Sequence, residues 1–266
     1  MTDDGWITVP LAITTDERHG GRWVSLRTRR REWLWKNRDP AVVAARSAVV
    51  PGDSFVDAGG VEECLPTIRG LPDHGDAWSR QWALNPASVN VPEVGRLVRT
   101  ITSSEDAVEL RYVLSGKPGT PFLHAAHALL DVGPAARLVI PAVRSVVVLD
   151  PEPRRQPWSS GLDRLGPDDG TATCALIEHC RKATVVDGGD ALSLAWSAPG
   201  HDEQCSLLLW RNLGGWPAGS PYRSIGIEPM VGRAADLSVA DLADCAQIGP
   251  DGRHVWRLRL SARERS

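Results

Sequence analysis

Short apolar runs, each closed within a few residues by a glycine, proline or aspartate, recur through most of the chain. Arg137-Leu138-Val139-Ile140 and Ser145-Val146-Val147-Val148-Leu149-Asp150 are rich in β-branched residues. Glu109-Leu110-Arg111-Tyr112-Val113-Leu114 alternates polar with apolar before Ser115-Gly116, and each of the three runs predicts a strand. Asp169-Gly170, Asp187-Gly188-Gly189-Asp190, Pro199-Gly200-His201-Asp202 and Pro250-Asp251-Gly252 supply the residues that hairpin turns need. In His254-Val255-Trp256-Arg257-Leu258-Arg259-Leu260, Trp256, Leu258 and Leu260 fall on one face and Arg257 and Arg259 on the other, which predicts a half-buried strand closing an edge.

Helical signals are few. Asp39-Pro40 ahead of 41–46 has an N-cap followed by proline at the first helical position, and Ser238-Val239-Ala240-Asp241 has capping-box spacing before Leu242-Ala243. Strands at hairpin spacing without long alternating helices predict an all-β sandwich or barrel. No linker-like tract or repeat divides the chain, so residues 1–266 are expected to form one domain.

Composition narrows the function. With 42% hydrophobic and 24% charged residues, the 266-residue chain is that of an ordinary globular protein. A net charge of -3 offers no basic field for a nucleic acid, and the excess of 27 arginines over three lysines carries no functional information by itself. The acidic N-terminus and the absence of a stretch near the ~20 apolar residues of a membrane span predict a cytoplasmic protein without membrane contact. Cys64, Cys174, Cys180, Cys205 and Cys245 are odd in number and scattered, which fits reduced thiols in the core.

The sequence lacks GxSxG, HExxH, GxGxxG and EF-hand patterns. Gly116-Lys117 is no phosphate loop, because Arg111 stands in place of the first glycine and Pro118 in place of the hydroxyl residue. Neither Glu178-His179-Cys180 nor His201-Asp202-Glu203 has a second cluster at ligand spacing, so no metal is expected.

Chemistry concentrates in 58–82, where carboxylates, a histidine, two arginines and two tryptophans share a glycine- and proline-rich stretch. A sugar site wants these types. Carboxylates and arginine bond hydroxyls, histidine moves a proton near neutral pH, and an indole face packs on the C–H face of a pyranose. The same residues read equally well as structure: Trp78 and Trp82 as core, Glu62 and Asp73 as turn caps, His74 as a donor to a carbonyl.

Gly59-Gly60-x-Glu62-Glu63-Cys64-x-Pro66-Thr67-Ile68 followed by Leu71-Pro72-Asp73-His74-Gly75-x-x-Trp78 resembles the sugar-site signature of the aldose 1-epimerase, or galactose mutarotase-like, superfamily. Phe122-Leu123-His124-Ala125-Ala126-His127-Ala128-Leu129-Leu130 resembles the segment carrying the family's second histidine. Tyr222-Arg223-Ser224-Ile225-Gly226-Ile227-Glu228-Pro229-Met230-Val231-Gly232 resembles the segment carrying its glutamate. Gly21 to Leu26 and Arg31 to Trp35 are similar to its opening strands, so the anchors run in order from about residue 20 to about 240.

The resemblance implies a β-supersandwich, a monosaccharide or sugar-phosphate substrate and no cofactor, in a monomer or homodimer. It matches His74 and His127 to the two active-site histidines and Glu228 to the general base, with Glu62, Arg69, Asp73, Trp78 and Arg80 as substrate-binding candidates, while His124 is left to strand or core. In the implied reaction Glu228 takes the C1 hydroxyl proton, His127 protonates the ring oxygen and His74 holds the O5/O6 side. The ordinary values of the two acid-base groups, ~4.3 and ~6.5, suit a pair working at neutral pH once burial raises the carboxylate.

The chain departs from the family in three places. Thr67-Ile68-Arg69 replaces the Asn-Arg pair of galactose-specific members, and the arginine of the hexose-6-phosphate branch is displaced to Arg80. An additional acidic residue has only Asp150 and Asp163 as candidates, without a motif. Glu62, Glu63, Asp73 and Asp76 outnumber Arg69 and Arg80 locally, which favours an unphosphorylated sugar. The other readings are a hexose-6-phosphate 1-epimerase, a sugar-binding protein on the same fold without chemistry, or a lyase or hydrolase for which the chain is short.

Overall fold

The structure is a computed structural model and describes residues 5–158 and 161–266. Two large antiparallel sheets face each other across an apolar core, a β-supersandwich. The first sheet runs, in spatial order, Arg137–Val139, Lys182–Asp187, Asp190–Ser197, Arg253–Arg265, Val108–Ser115, Gly95–Ser103 and Ala87–Val91, with Trp6–Val9 added beside the end of Arg253–Arg265. The second, nine-stranded sheet runs Arg154–Pro157, Ser145–Val148, Ala172–Glu178, Cys205–Trp216, Tyr222–Val231, His124–Leu130, Val61–Cys64, Arg22–Arg27 and Ala12–Asp16.

The expected strands form, with one correction. Arg253–Arg265 pairs with both Asp190–Ser197 and Val108–Ser115, so it is a central strand and not a closing edge. Alternation reports which face is buried and says nothing about the neighbours. Leu258 and Leu260 point into the core as expected, while Arg259 faces outward and reaches Glu109 across the ladder at 2.6 Å.

The helix Pro40–Ala48 starts where its cap predicts: an Asp39 carboxylate oxygen accepts from Ala41 N at 2.8 Å. The capping-box spacing at Ser238 yields only a single 3-10 turn, Leu242–Asp244. Ser238 Oγ donates to Asp236 at 2.7 Å instead of capping a helix, the local side-chain competition that keeps serine in turns.

Alternation along Val61–Cys64 sends adjacent glutamates to opposite sides of the nine-stranded sheet. Glu63 points into the sandwich, where it accepts from Arg99 Nη1 at 2.6 Å, Tyr112 Oη at 3.1 Å and Trp23 Nε1 at 3.3 Å, and lies 3.1 Å from His124 Nε2. Trp256 Nε1 donates to the other nitrogen of His124 at 2.9 Å, so His124 is a core residue. Glu62 points to the outer face of the same sheet, as do His127 and Glu228. The five cysteines are buried and free.

Candidate functional site

Three neighbouring strands bring the site together. Glu62 of Val61–Cys64 pairs with His127 of His124–Leu130. The register that joins Gly226 to Leu129 and Met230 to Ala125 sets Glu228 of Tyr222–Val231 across from His127. Oε1 of Glu228 lies 3.6 Å from Nε2 of His127, and the two residues are only 1% and 7% exposed. Among the described residues neither carboxyl oxygen of Glu228 has a hydrogen-bond partner. Space for this side chain comes from Gly226: a Cβ there would stand 2.5 Å from Oε1 and 2.9 Å from Trp210 Cβ.

His74 arrives from the 65–76 loop with left-handed backbone, φ 62°, and its amide donates to Ile68 O at 3.0 Å. Its ring meets that of His127 edge-on at 4.8 Å, and Nδ1 stands 3.1 Å from an Asp73 oxygen. Phe55 stacks on the other side of His74, centroids 3.5 Å apart and planes 8° from parallel. The same phenyl ring reaches Trp78 at 5.0 Å and His127 at 5.8 Å. A ring from the segment after the helix therefore caps the two histidines.

Burial dominates the electrostatics. It pushes Glu228 well above the usual carboxylate range, reinforced by the charge of Asp57. It pushes His127 well below the usual imidazole value, reinforced by His74. Both shifts have one cause, the removal of the carboxyl and the imidazole from water on the same sheet face. Asp57 is itself raised by the burial of its carboxyl group, against the bonds it accepts from Tyr222 Oη at 2.5 Å and Gly59 N at 3.3 Å.

The remaining expected binding residues are differently engaged. Glu62 accepts from Arg46 Nε at 2.8 Å and Nη2 at 2.9 Å, with Arg22 Nε at 3.4 Å, so its carboxylate anchors the helix and is taken. Arg69 holds Asp150 at 2.8 Å and Arg80 holds Asp76 at 3.3 Å. Trp78 is 1% exposed, lying beneath Phe55 and the Arg46 guanidinium, which is 5.1 Å from its ring. Asp73 is exposed and, against the burial that would raise it, held below its usual range by His74 and Arg69.

Neither Asp150 nor Asp163 joins the cluster. Asp150 serves Arg69, and Asp163 pairs with Arg137 at 2.9 Å near the surface. The carboxylate that influences Glu228 is Asp57, which precedes the first histidine instead of following the second. Sequence reasoning missed Asp57, Phe55 and Arg46. The available signals were slight: Asp57 lies two residues before the Gly59-Gly60 pair, and Phe55 is one of only two phenylalanines.

The fold is shared with several solved structures. The Slr1438 protein of Synechocystis sp. PCC 6803 superposes with a TM-score of 0.72 at 14% identity, over 98% of this chain and 96% of that one. A galactose mutarotase related enzyme from Lactobacillus acidophilus gives 0.67 at 12%, over 97% of each chain. A galactose mutarotase-like protein from Lactobacillus casei gives 0.58 at 13%, over 97% of this chain and 99% of that one. No protein-family model matches the chain, and no curated protein matches it in sequence. The chain therefore has the galactose mutarotase-like fold, with a buried carboxyl–imidazole couple on the outer face of its nine-stranded sheet.

Proposed function

We propose that this protein is an isomerase of the aldose 1-epimerase type, interconverting the α and β anomers of a hexose with Glu228 and His127 as its acid-base couple. The observation that carries the reading is the couple itself: two groups on adjacent strands, 3.6 Å apart, buried together, with both oxygens of Glu228 unsatisfied among the described residues. A carboxyl kept without partners in a core costs about 1–3 kcal/mol or more, so a structural role gives no reason to keep it there.

Anomerisation needs one group to accept the C1 hydroxyl proton while another donates to the ring oxygen. The C1–O5 bond breaks as the C1 carbonyl forms, the C1–C2 bond rotates, and closure on the other face runs the two transfers backwards. On opening Glu228 accepts the C1 hydroxyl proton while His127 donates one to the ring oxygen, and on closure the two exchange these roles, so the couple ends the cycle as it began. His74 stands beside His127 to orient the ring-oxygen side. Phe55 lies over His74 where the apolar face of a pyranose would pack, so the sugar reaches the couple by displacing it. Arg69 and Arg80 are each committed to a carboxylate, which supports an unphosphorylated substrate.

Glu228→Gln keeps the shape of the side chain and removes its proton transfer. Equilibration of freshly dissolved glucose or galactose anomers, followed by polarimetry, should lose about 10²- to 10⁴-fold in kcat/KM in Glu228→Gln, and similarly in His127→Asn, with the fold retained. Wild-type protein that binds hexoses and hexose phosphates but accelerates no equilibration would instead be a sugar-binding module.

A further inference from the structure

The outer face of the first sheet, across the sandwich from Glu228, is basic although the protein as a whole carries a net charge of -3. Along the central strand Arg253–Arg265 the positions that alternate outward include Arg253, Arg257, Arg259, Arg263 and Arg265, all exposed. Its neighbour Val108–Ser115 sets Arg111, also exposed, directly opposite Arg257. Side chains so placed spring from Cβ atoms about 4.5–5.5 Å apart, and like charges there destabilise the pairing of the strands.

Other exposed arginines of the chain are given a carboxylate: Arg137 reaches Asp163 at 2.9 Å, Arg155 reaches Glu178 at 2.6 Å and Arg181 reaches Asp202 at 2.5 Å. Among the described residues neither Arg111 nor Arg257 has such a partner or a side-chain hydrogen bond. Glu109, two residues before Arg111 on the same face, is taken by Arg259 at 2.6 Å. The unpaired arginines border an open depression of about 460 Å³. Register lays Thr100 beside Arg111 and Ser197 beside Arg257, so one row across four strands reads hydroxyl, guanidinium, guanidinium, hydroxyl. Thr102 and Ala195 extend the floor in the next row, beside Glu109 and Arg259.

We infer that this depression binds a small phosphate monoester, with the phosphate bridging Arg111 and Arg257. A carboxylate brings two oxygens, enough for one guanidinium fork, whereas a phosphate monoester brings three terminal oxygens and close to two negative charges at neutral pH, enough for both. The anion also relieves the repulsion between the two strands. The volume lies within the range of small-molecule pockets and exceeds what a bare phosphate fills, so the organic part of the ester rests among the threonine and serine hydroxyls. The other arginines of the strand draw the anion to this face. The site stands whether or not Glu228 does chemistry on the opposite side of the sandwich.

The experiment titrates the whole chain at low ionic strength with glycerol 3-phosphate, by calorimetry and through the arginine Nε–H signals in NMR, with acetate for comparison. One equivalent of glycerol 3-phosphate should bind, move the signals of Arg111 and Arg257 and raise the Tm, and acetate should bind at least ten-fold more weakly. Arg111→Gln and Arg257→Gln should each weaken binding about ten-fold or more, as the loss of a charged hydrogen-bonding fork does. Arg253→Gln, on the same face but outside the depression, should change it less than about two-fold, the effect of a screened distant charge. Equal weakening by Arg253→Gln and Arg257→Gln would overturn the site and leave only a diffuse attraction to the whole face. Sedimentation with vesicles containing phosphatidic acid, in a protein that binds no soluble ester, would overturn it in favour of a membrane-docking face.

Discussion

Glu228 and His127 are shifted by the same burial, and the two shifts act on stability in opposite senses as pH changes. Above the ordinary carboxylate value of 4.5 an unfolded chain releases the Glu228 proton that the native protein keeps, so this residue costs stability increasingly as pH rises towards its native value. Below 6.5 the unfolded chain takes up a proton that native His127 refuses, so that residue costs stability as pH falls. Glu228→Gln removes the first cost alone. Its Tm should exceed that of the wild type at pH 7 to 8, with the gap closing towards pH 4.5; a variant less stable than wild type at pH 8 would contradict a carboxyl raised by its burial. His74, His127 and Glu228 were legible in the sequence because each sits in a short motif and the three motifs fall in order. Asp57 and Phe55 were not, because the 49–57 segment has no periodicity and its contacts are made with residues far away in the chain.

The helix Pro40–Ala48 is unusual in burying a single residue, and that residue is Arg46. Besides gripping Glu62, Arg46 donates to His19 O at 2.8 Å and Trp78 O at 2.9 Å, so one guanidinium fastens the helix to the sheet and to the loop of His74. Removing one partner of a buried pair strands the other, at a cost of about 3–5 kcal/mol. Arg46→Ala should lose stability on that order, and amide exchange should quicken through the helix while the core strands stay protected; an unchanged helix would mean other contacts hold it. From this anchor the chain continues through Pro51 and Gly52, φ 98°, to Phe55. If Phe55 is what closes the couple, Phe55→Ala should lower KM for hexoses and raise the rate at which diethyl pyrocarbonate acylates His127 several-fold. Labelling as slow as in the wild type would show that the seal lies elsewhere. The helix start was legible from Asp39-Pro40, but an anchoring arginine on a mostly exposed helix leaves no apolar stripe to read.

Across the sandwich, Glu63 and His124 of the nine-stranded sheet meet Arg99, Tyr112 and Trp256 of the other, so a charged knot joins the two layers within the apolar core. His124 and Arg99 hold Glu63 below its usual range in spite of complete burial. Glu63→Leu should cost about 3–5 kcal/mol by leaving Arg99 uncompensated, and Glu63→Leu with Arg99→Leu should cost clearly less than the sum of the two single changes in urea unfolding. Additive costs would mean that the two side chains are not coupled. The all-β class was readable from turns and alternation, whereas strand order was not, since period-2 patterning is local and pairing is set by which buried faces meet. The central place of Arg253–Arg265 also bears on biosynthesis. Its two partners, Val108–Ser115 and Asp190–Ser197, are translated first and cannot pair with each other in the native sheet. At about 5–20 residues per second, the later of them waits a few seconds on the ribosome with an open edge before the strand that belongs between them is made. Ribosome-associated chaperones have that interval in which to shield two hydrophobic edges, and a stall within it would leave a nascent chain prone to aggregate.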